Sequence, residues 1–452
     1  MASIPPTVPT LKALRRLIPF ARNPLWGFDR YLEEYGPNFF LKAGRARRTL
    51  ITTDPAVVQH ALQRGHRQYE KSEIQTDQMA RYLGRGLLTN SGQDWLRQRR
   101  LIQPGFHREK LRALIDQMQA ETSEKIQQLI LPAHQNRTKI EAHAFTTELT
   151  FSIIARAIFT DGFTPQQVVE FSEAVTTLQA YIIYPIRLPF LRPIMRFLGY
   201  EKRYRRLAND IGRQLLERVD ERRGSGKTKP DLLQMLLDSR YEDSGKPMDD
   251  QRLIDEIMIL FAAGHETSAN ALAWALYLLA DHQEVLKKCQ TEIAEVMGDD
   301  APNLENLQAL QYLQQVIEES MRLYPPAWVT DRIALADNEV EGIPLAKDDV
   351  IVPYIYGIHR SPLLYDQPDE FRPERMALEH RKARHPFSYL PFGGGPRLCI
   401  GNHFAMLEMK IVLLNLLRGW DFRRSNSSPI PPKALITLRP DRDILLVFQP
   451  KS

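Results

Sequence analysis

The chain has 452 residues, 43% hydrophobic and 25% charged, a balance that supports a large buried core and excludes a disordered or collagen-like polymer. Sixty Lys and Arg against 55 Asp and Glu leave a net charge of +5, too diffuse to specify nucleic acid but suited to an acidic protein partner. Two cysteines, Cys289 and Cys399, exclude a disulfide scaffold and fit a reducing cytoplasm. No run of about 18 apolar residues reads as a transmembrane anchor, and residues 1–22 lack a signal-peptide core.

Residues 39–53 read as two short strands around a glycine turn, with Arg45, Arg47 and Arg48 clustered on it. Charge clusters ordinarily face water, so a solvated hairpin is the plainer reading. Residues 71–90 are irregular, hold Gly84 and Gly86, and read as a loop over a pocket. A helix then begins at Trp95-Leu-Arg-Gln-Arg99-Arg100, where Trp95 and Arg99, four apart, share one face. Residues 108–224 are mostly helical by periodicity and contain an aromatic, apolar stretch, 180–191, broken by Pro185 and Pro189. Gly224 to Pro230 is a polar surface connection.

The longest predicted helix opens near Asp249 and runs to about Ala280, roughly 45 Å at ~1.5 Å per residue. It is apolar nearly all round, which implies burial. Yet it contains Ala263-Gly264-His265-Glu266-Thr267-Ser268, a glycine and a Glu-Thr pair that conflict with helix propensity and with the cost of burying polar groups. Such local rule-breaking marks functional sites. Thr267 could equally bond back to the carbonyl of Ala263. The charged helical segment 282–296 makes Cys289 a packing or surface residue. Glu319 and Arg322, at i and i+3 on the next helix, can pair, and Tyr324-Pro325-Pro326 ends that helix. Phe371-Arg-Pro-Glu-Arg375 follows some fifty residues later.

The densest signal is Phe392-Gly-Gly-Gly-Pro-Arg-Leu-Cys399-Ile-Gly401, directly before a predicted helix at 402–417. Its glycines allow a backbone to press against a flat ligand. Cys399 stands at the mouth of the helix, where free N–H groups and the dipole favour a thiolate. A thiolate there can ligate haem iron, and Arg397 can reach a haem propionate. An inert cysteine beside a Gly-Pro helix cap is the alternative.

With Phe392, Gly395, Arg397, Cys399 and Gly401 in fixed spacing, the chain resembles the cytochrome P450 superfamily, over about residues 30–448. The resemblance implies a mainly α fold, the helical haem-thiolate prism with small β-sheets, as a single haem domain over 1–452 without a fused reductase. It implies haem b (iron protoporphyrin IX) bound through Cys399. Trp95, Arg99, Arg332 and Arg397 would meet the propionates, with Phe392 and Gly401 framing the cysteine loop. Gly264 would leave room for O2, Thr267 would hydrogen-bond it, and Glu266 would relay protons. Glu319, Arg322 and Arg375 would form a structural triad, with Met376 replacing the family's usual phenylalanine. Ala263, Ala327, Trp328, Val329, Leu435 and Ile436 would line the substrate pocket, although Trp328 equally suits a core anchor.

The implied reaction is insertion of one atom of O2 into a C–H bond of an apolar substrate. A fatty acid comes first, held by Arg45, and a terpenoid or steroid second. Electrons would come from a ferredoxin or flavodoxin with its NAD(P)H reductase, docking near Arg97 and Arg100. A peroxide-driven or isomerising haem-thiolate enzyme and a non-catalytic haem sensor are the alternatives.

Overall fold

The longest helix organises the molecule, and its start is set by one side chain. Asp249 accepts a hydrogen bond from the Arg252 backbone N–H at 2.8 Å, capping a helix that runs Asp250–Asp281. The computed structural model describes residues 4–43, 47–107, 111–160, 163–188 and 191–451. Within them the helices that position the site are α1 (Gly92–Ile102), α2 (Ala142–Ile158), α3 (Pro165–Arg187), α4 (Asp250–Asp281), α5 (Gln283–Met297), α6 (Gln311–Leu323) and α7 (Asn402–Gly419).

Helices α2 and α4 lie unusually close because polar side chains on one bond to backbone on the other. Thr146 and Thr150 of α2 donate to the carbonyls of Ala269 and His265, each over 3.0 Å. Beside them the Phe151 and Phe261 rings stack at 5.4 Å between centroids. Helix α7 is buried along most of its length, as its apolar run requires. Cys289 on α5 is buried, a packing residue as expected.

Five strands form a sheet at one side: β1 (Asn38–Ala43), β2 (Arg47–Thr52), β3 (Tyr69–Glu70), β4 (Arg332–Ala334) and β5 (Val350–Pro353), in the order β1-β2-β5-β4-β3. The expected hairpin is β1 against β2, antiparallel from Asn38↔Thr52 to Ala43↔Arg47. Arg45 lies outside the described residues. A two-stranded hairpin, β6 (Pro432–Ala434) and β7 (Leu438–Pro440), carries the turn that reaches α4. Among the described residues no helix is long and apolar enough to cross a membrane.

The 71–90 segment departs from expectation. It contains helical turns over Ile74–Met79 and Ala80–Leu83 before Gly84 ends them at φ 80°. The rest of the segment is held by carboxylates of α4, since Arg85 N–H donates to Asp255 (2.7 Å) and Leu87 N–H to Glu256 (3.0 Å). Those partners lie some 170 residues away, so no local pattern announces them.

Candidate active site

The cysteine loop is folded by its own backbone. Gly393 N–H donates to Leu390 O at 3.1 Å, Leu398 N–H to Gly395 O at 3.0 Å, and Cys399 N–H to Phe392 O at 3.0 Å. Gly393 and Gly395 take φ of 74° and 67°, conformations that strain any residue with a Cβ. A Cβ on Gly395 would also collide with the Leu62 carbonyl, and one on Gly394 would lie 2.7 Å from the Phe387 ring. These two glycines are therefore required by protein neighbours, a reason that the sequence pattern does not show. A Cβ on Gly401 would meet nothing within 4 Å.

Cys399 keeps exposed surface although protein atoms crowd around it. Burial raises its thiol pKa, opposed by the Gly401 N–H and by the charge of Arg99. The low value expected at a helix mouth is thus outweighed by desolvation. Arg99 donates from Nη1 to the Leu398 carbonyl at 2.8 Å, one residue from the cysteine.

Three cations converge beside this loop. Arg397 lies with its guanidinium 4.8 Å from the centre of the Trp95 ring and only 3.5 Å from Ser91 Oγ. Arg332 is buried, donating to the Asp331 carbonyl at 2.6 Å. Lys71, also buried, donates to the carbonyls of Leu87 and Leu88 at 2.8 and 2.7 Å. Desolvation lowers the pKa of all three, Arg332 to about 10, and Arg397 further depresses both Lys71 and Arg332 by repulsion. None forms an ion pair among the described residues, although Asp331 favours the charged forms of Lys71 and Arg332 from farther off, Glu256 that of Lys71 and Glu70 that of Arg397. Lys71 is absent from the sequence reading, because a lysine in an irregular segment carries no signal until folding buries it.

On α4, Ala263 is exposed and Gly264 and Thr267 are part-exposed on a helix otherwise largely buried. Thr267 Oγ1 donates to the Ala263 carbonyl at 2.7 Å, the back-bonded arrangement. Gly264 also packs against α2, where a Cβ would sit 3.2 Å from Ile154. Glu266 accepts from Thr437 Oγ1 at 2.6 Å through Oε1, while Oε2 is buried without a partner. Burial raises its pKa, with Thr437 and Arg439 pulling the other way.

The β6–β7 turn brings Leu435 and Ile436, both part-exposed, to this region. Trp328 is buried among Phe28 and Tyr354 and donates from Nε1 to the Leu435 carbonyl at 3.0 Å, so it anchors the core. Its neighbours Ala327 and Val329 keep exposed surface. Away from the pocket, Glu319 receives Arg322 Nε and Nη2, each at 2.8 Å, and Arg375 Nε at 2.8 Å. Arg97 and Arg100 already face Asp243 (2.9 Å) and Glu242 (3.7 Å).

One further cation has an unpartnered nitrogen among the described residues. Arg187, at the end of α3, has a buried Nη2 without a partner, and burial lowers its pKa with only Tyr184 opposing. Two turns earlier, Gln179 Nε2 donates to the Ala262 carbonyl of α4 at 2.8 Å, which sets α3 against the helix bearing Ala263 and Thr267.

The sequence matches the family model for cytochrome P450 over residues 5–447. Cyclooctatin synthase of Streptomyces melanosporofaciens is 32% identical over 426 residues, covering 92% of this chain and 90% of that protein. Cyclooctat-9-en-7-ol 5-monooxygenase of the same organism is 31% identical, covering 92% and 87%. Echinocystic acid 23-monooxygenase of Saponaria officinalis is 31% identical, covering 93% and 83%. The crystal structure of the cytochrome P450DA heme domain superposes with a TM-score of 0.86 at 23% identity, covering 100% of this chain and 98% of that one.

Proposed function

The chain belongs to the cytochrome P450 family and is a cytochrome P450 monooxygenase, and from that premise we propose that it holds haem b through Cys399 and hydroxylates an apolar substrate bearing one acidic end. The observation that carries this reading is a lone thiol beside three desolvated cations, two of them pushed down further by Arg397, that form no ion pair among the described residues. Haem b carries two propionates. Mutually repelling buried cations are relieved by two carboxylates, so the residues fit the cofactor in charge as well as in ligand. Lys71, Arg332 and Arg397 would hold the propionates, and Trp95 would fix Arg397. Arg99 would brace the loop through Leu398, with Phe392 and Gly401 framing the thiol.

Haem supplies the activation of O2, one atom entering a C–H bond and the other leaving as water. The protein manages protons. Thr267 keeps acceptor capacity after donating to Ala263, which suits it to hold a water at the open face. Glu266, whose pKa burial raises, would give up a proton from Oε2 and take one back. Thr267→Ala is expected to cut O2-driven product formation by about 10²-fold, while peroxide-driven turnover survives. Unchanged O2-driven turnover would favour a peroxide-driven or isomerising enzyme instead.

A fatty acid is the first substrate class and a terpenoid or steroid the second. Echinocystic acid, in a relative's name, is itself an acid. Arg45 remains one candidate anchor for such a group, and Arg187 is the better supported, because a buried guanidinium without a counterion is costly until an anion arrives. Arg187→Gln is expected to weaken binding of long-chain acids about tenfold and leave the matching alcohols unchanged in a haem absorption titration. Equal effects on both would rule the anchor out. Electrons would come from a ferredoxin or flavodoxin with its NAD(P)H reductase, in the cytoplasm that two unpaired cysteines suit. Docking at Arg97 and Arg100 would have to displace Asp243 and Glu242.

A further inference from the structure

A line of four side chains runs from the buried face of α4 to the N-terminal end of α2. His143 Nε2 lies 2.9 Å from Asn270 Oδ1, Asn270 Nδ2 donates to Thr437 Oγ1 at 3.0 Å, and Thr437 Oγ1 donates to Glu266 Oε1 at 2.6 Å. Asn270 and Thr437 are buried, and His143 is part-exposed. At the far end, Glu266 Oε2 has no partner.

The line has a direction, because an amide has one donor end and one acceptor end and a hydroxyl has one proton. With Asn270 Oδ1 accepting from His143 Nε2–H, Nδ2 must face Thr437. Thr437 then directs its only proton to Glu266 Oε1. Oε1 is thereby an acceptor, and a proton taken up by Glu266 must sit on Oε2. The reverse line begins with a proton on Oε1 donated to Thr437, turns the amide over, and ends with Asn270 donating to a bare His143 Nε2. It locks the acidic proton between Oε1 and Thr437.

We propose that His143 is a positioning residue for Glu266, whose Nε2–H sets the direction of the line and keeps the exchangeable proton on the free oxygen, Oε2. The inference rests on the reading of Glu266 as proton donor given above. No proton travels along the line; Oε2 loses one and regains one in each cycle. Protonated His143 donates from both nitrogens and preserves the same direction. The other groups facing the line are Arg439, which acts on both Glu266 and His143, Glu141, which caps α2 beside His143, and His265. His265 is neutral, its pKa dropped to about 4 by burial.

The test uses the haem-loaded protein. Infrared difference spectra between H2O and D2O, with Glu266→Gln identifying the signal, should show one carbonyl band for protonated Glu266 in the wild type. His143→Phe should split it as both directions become populated, and His143→Lys, which can only donate, should recover one band. His143→Phe should also raise the peroxide released per O2 consumed about fivefold, the effect of losing one hydrogen bond, with substrate affinity and peroxide-driven turnover unchanged. A single wild-type band together with wild-type peroxide release in His143→Phe would overturn the proposal. Where that variant does not retain haem, Thr437→Val replaces it: the same rise in peroxide supports the proposal and no rise overturns it. If Glu266→Gln leaves O2-driven coupling intact, the proton-donor reading fails, while the band pattern still decides the direction of the line.

Discussion

Cys399→Ser is expected to lose the thiolate-type absorption of the reduced, carbon monoxide-treated protein and to lose O2-driven turnover altogether. The fold should survive, because the bond that shapes the loop there is the Cys399 backbone N–H to the Phe392 carbonyl, which serine keeps. Circular dichroism at wild-type intensity beside an absent thiolate spectrum is the anticipated pair of results. A hydroxyl is far less readily ionised than a thiol, and the same burial that raises the Cys399 pKa would keep a serine neutral. A variant that retained both the spectrum and turnover would place the ligand elsewhere, and among the described residues the one other cysteine, Cys289, is buried on α5 with its thiol pKa pushed far up.

Glu319→Ala is expected to destabilise the fold by about 3–5 kcal/mol, the cost of leaving a buried charge without its partner. Glu319 and Arg322 are fully buried side by side, and the same carboxylate also takes Arg375 Nε and the Arg372 backbone N–H at 3.1 Å. Arg322 spends its remaining donors on the carbonyls of His359, Pro368 and Glu370, tying α6 to the 366–376 segment that precedes the cysteine loop. Removing Glu319 strands one arginine in the core, so both the urea midpoint and haem retention should fall. Arg375→Ala should cost less, since Glu319 keeps both bonds to Arg322. A loss under about 1 kcal/mol for Glu319→Ala would reduce the triad to an ordinary surface-type pair.

The cysteine loop and the α4 interruption were legible because each combines residue types that clash locally with their surroundings. The triad was legible only as two separate fragments. Met376 is buried where the family usually has phenylalanine, an exchange of one flexible apolar side chain for a ring. Individual residues also answer to distant neighbours. Gly394 and Gly395 sit against Phe387 and Leu62, and Gly264 against Ile154, contacts that no spacing rule encodes. Trp328 is likewise a core anchor bonded to Leu435.

Composition, period and short motifs by themselves determined a mainly helical chain, the long buried α4 with its Glu266-Thr267 pair, and a cysteine in a glycine-rich loop before a helix. These are properties of neighbours within a few turns, where backbone geometry alone sets who can meet whom. Only the tertiary structure decided that Lys71, Arg332 and Arg397 are desolvated beside one another, that Arg187 Nη2 is buried without a partner among the described residues, and that Thr437 reaches Glu266 across 171 residues. Desolvation and hydrogen-bond direction depend on packing from every side at once, so they exist only after the distant segments have come together.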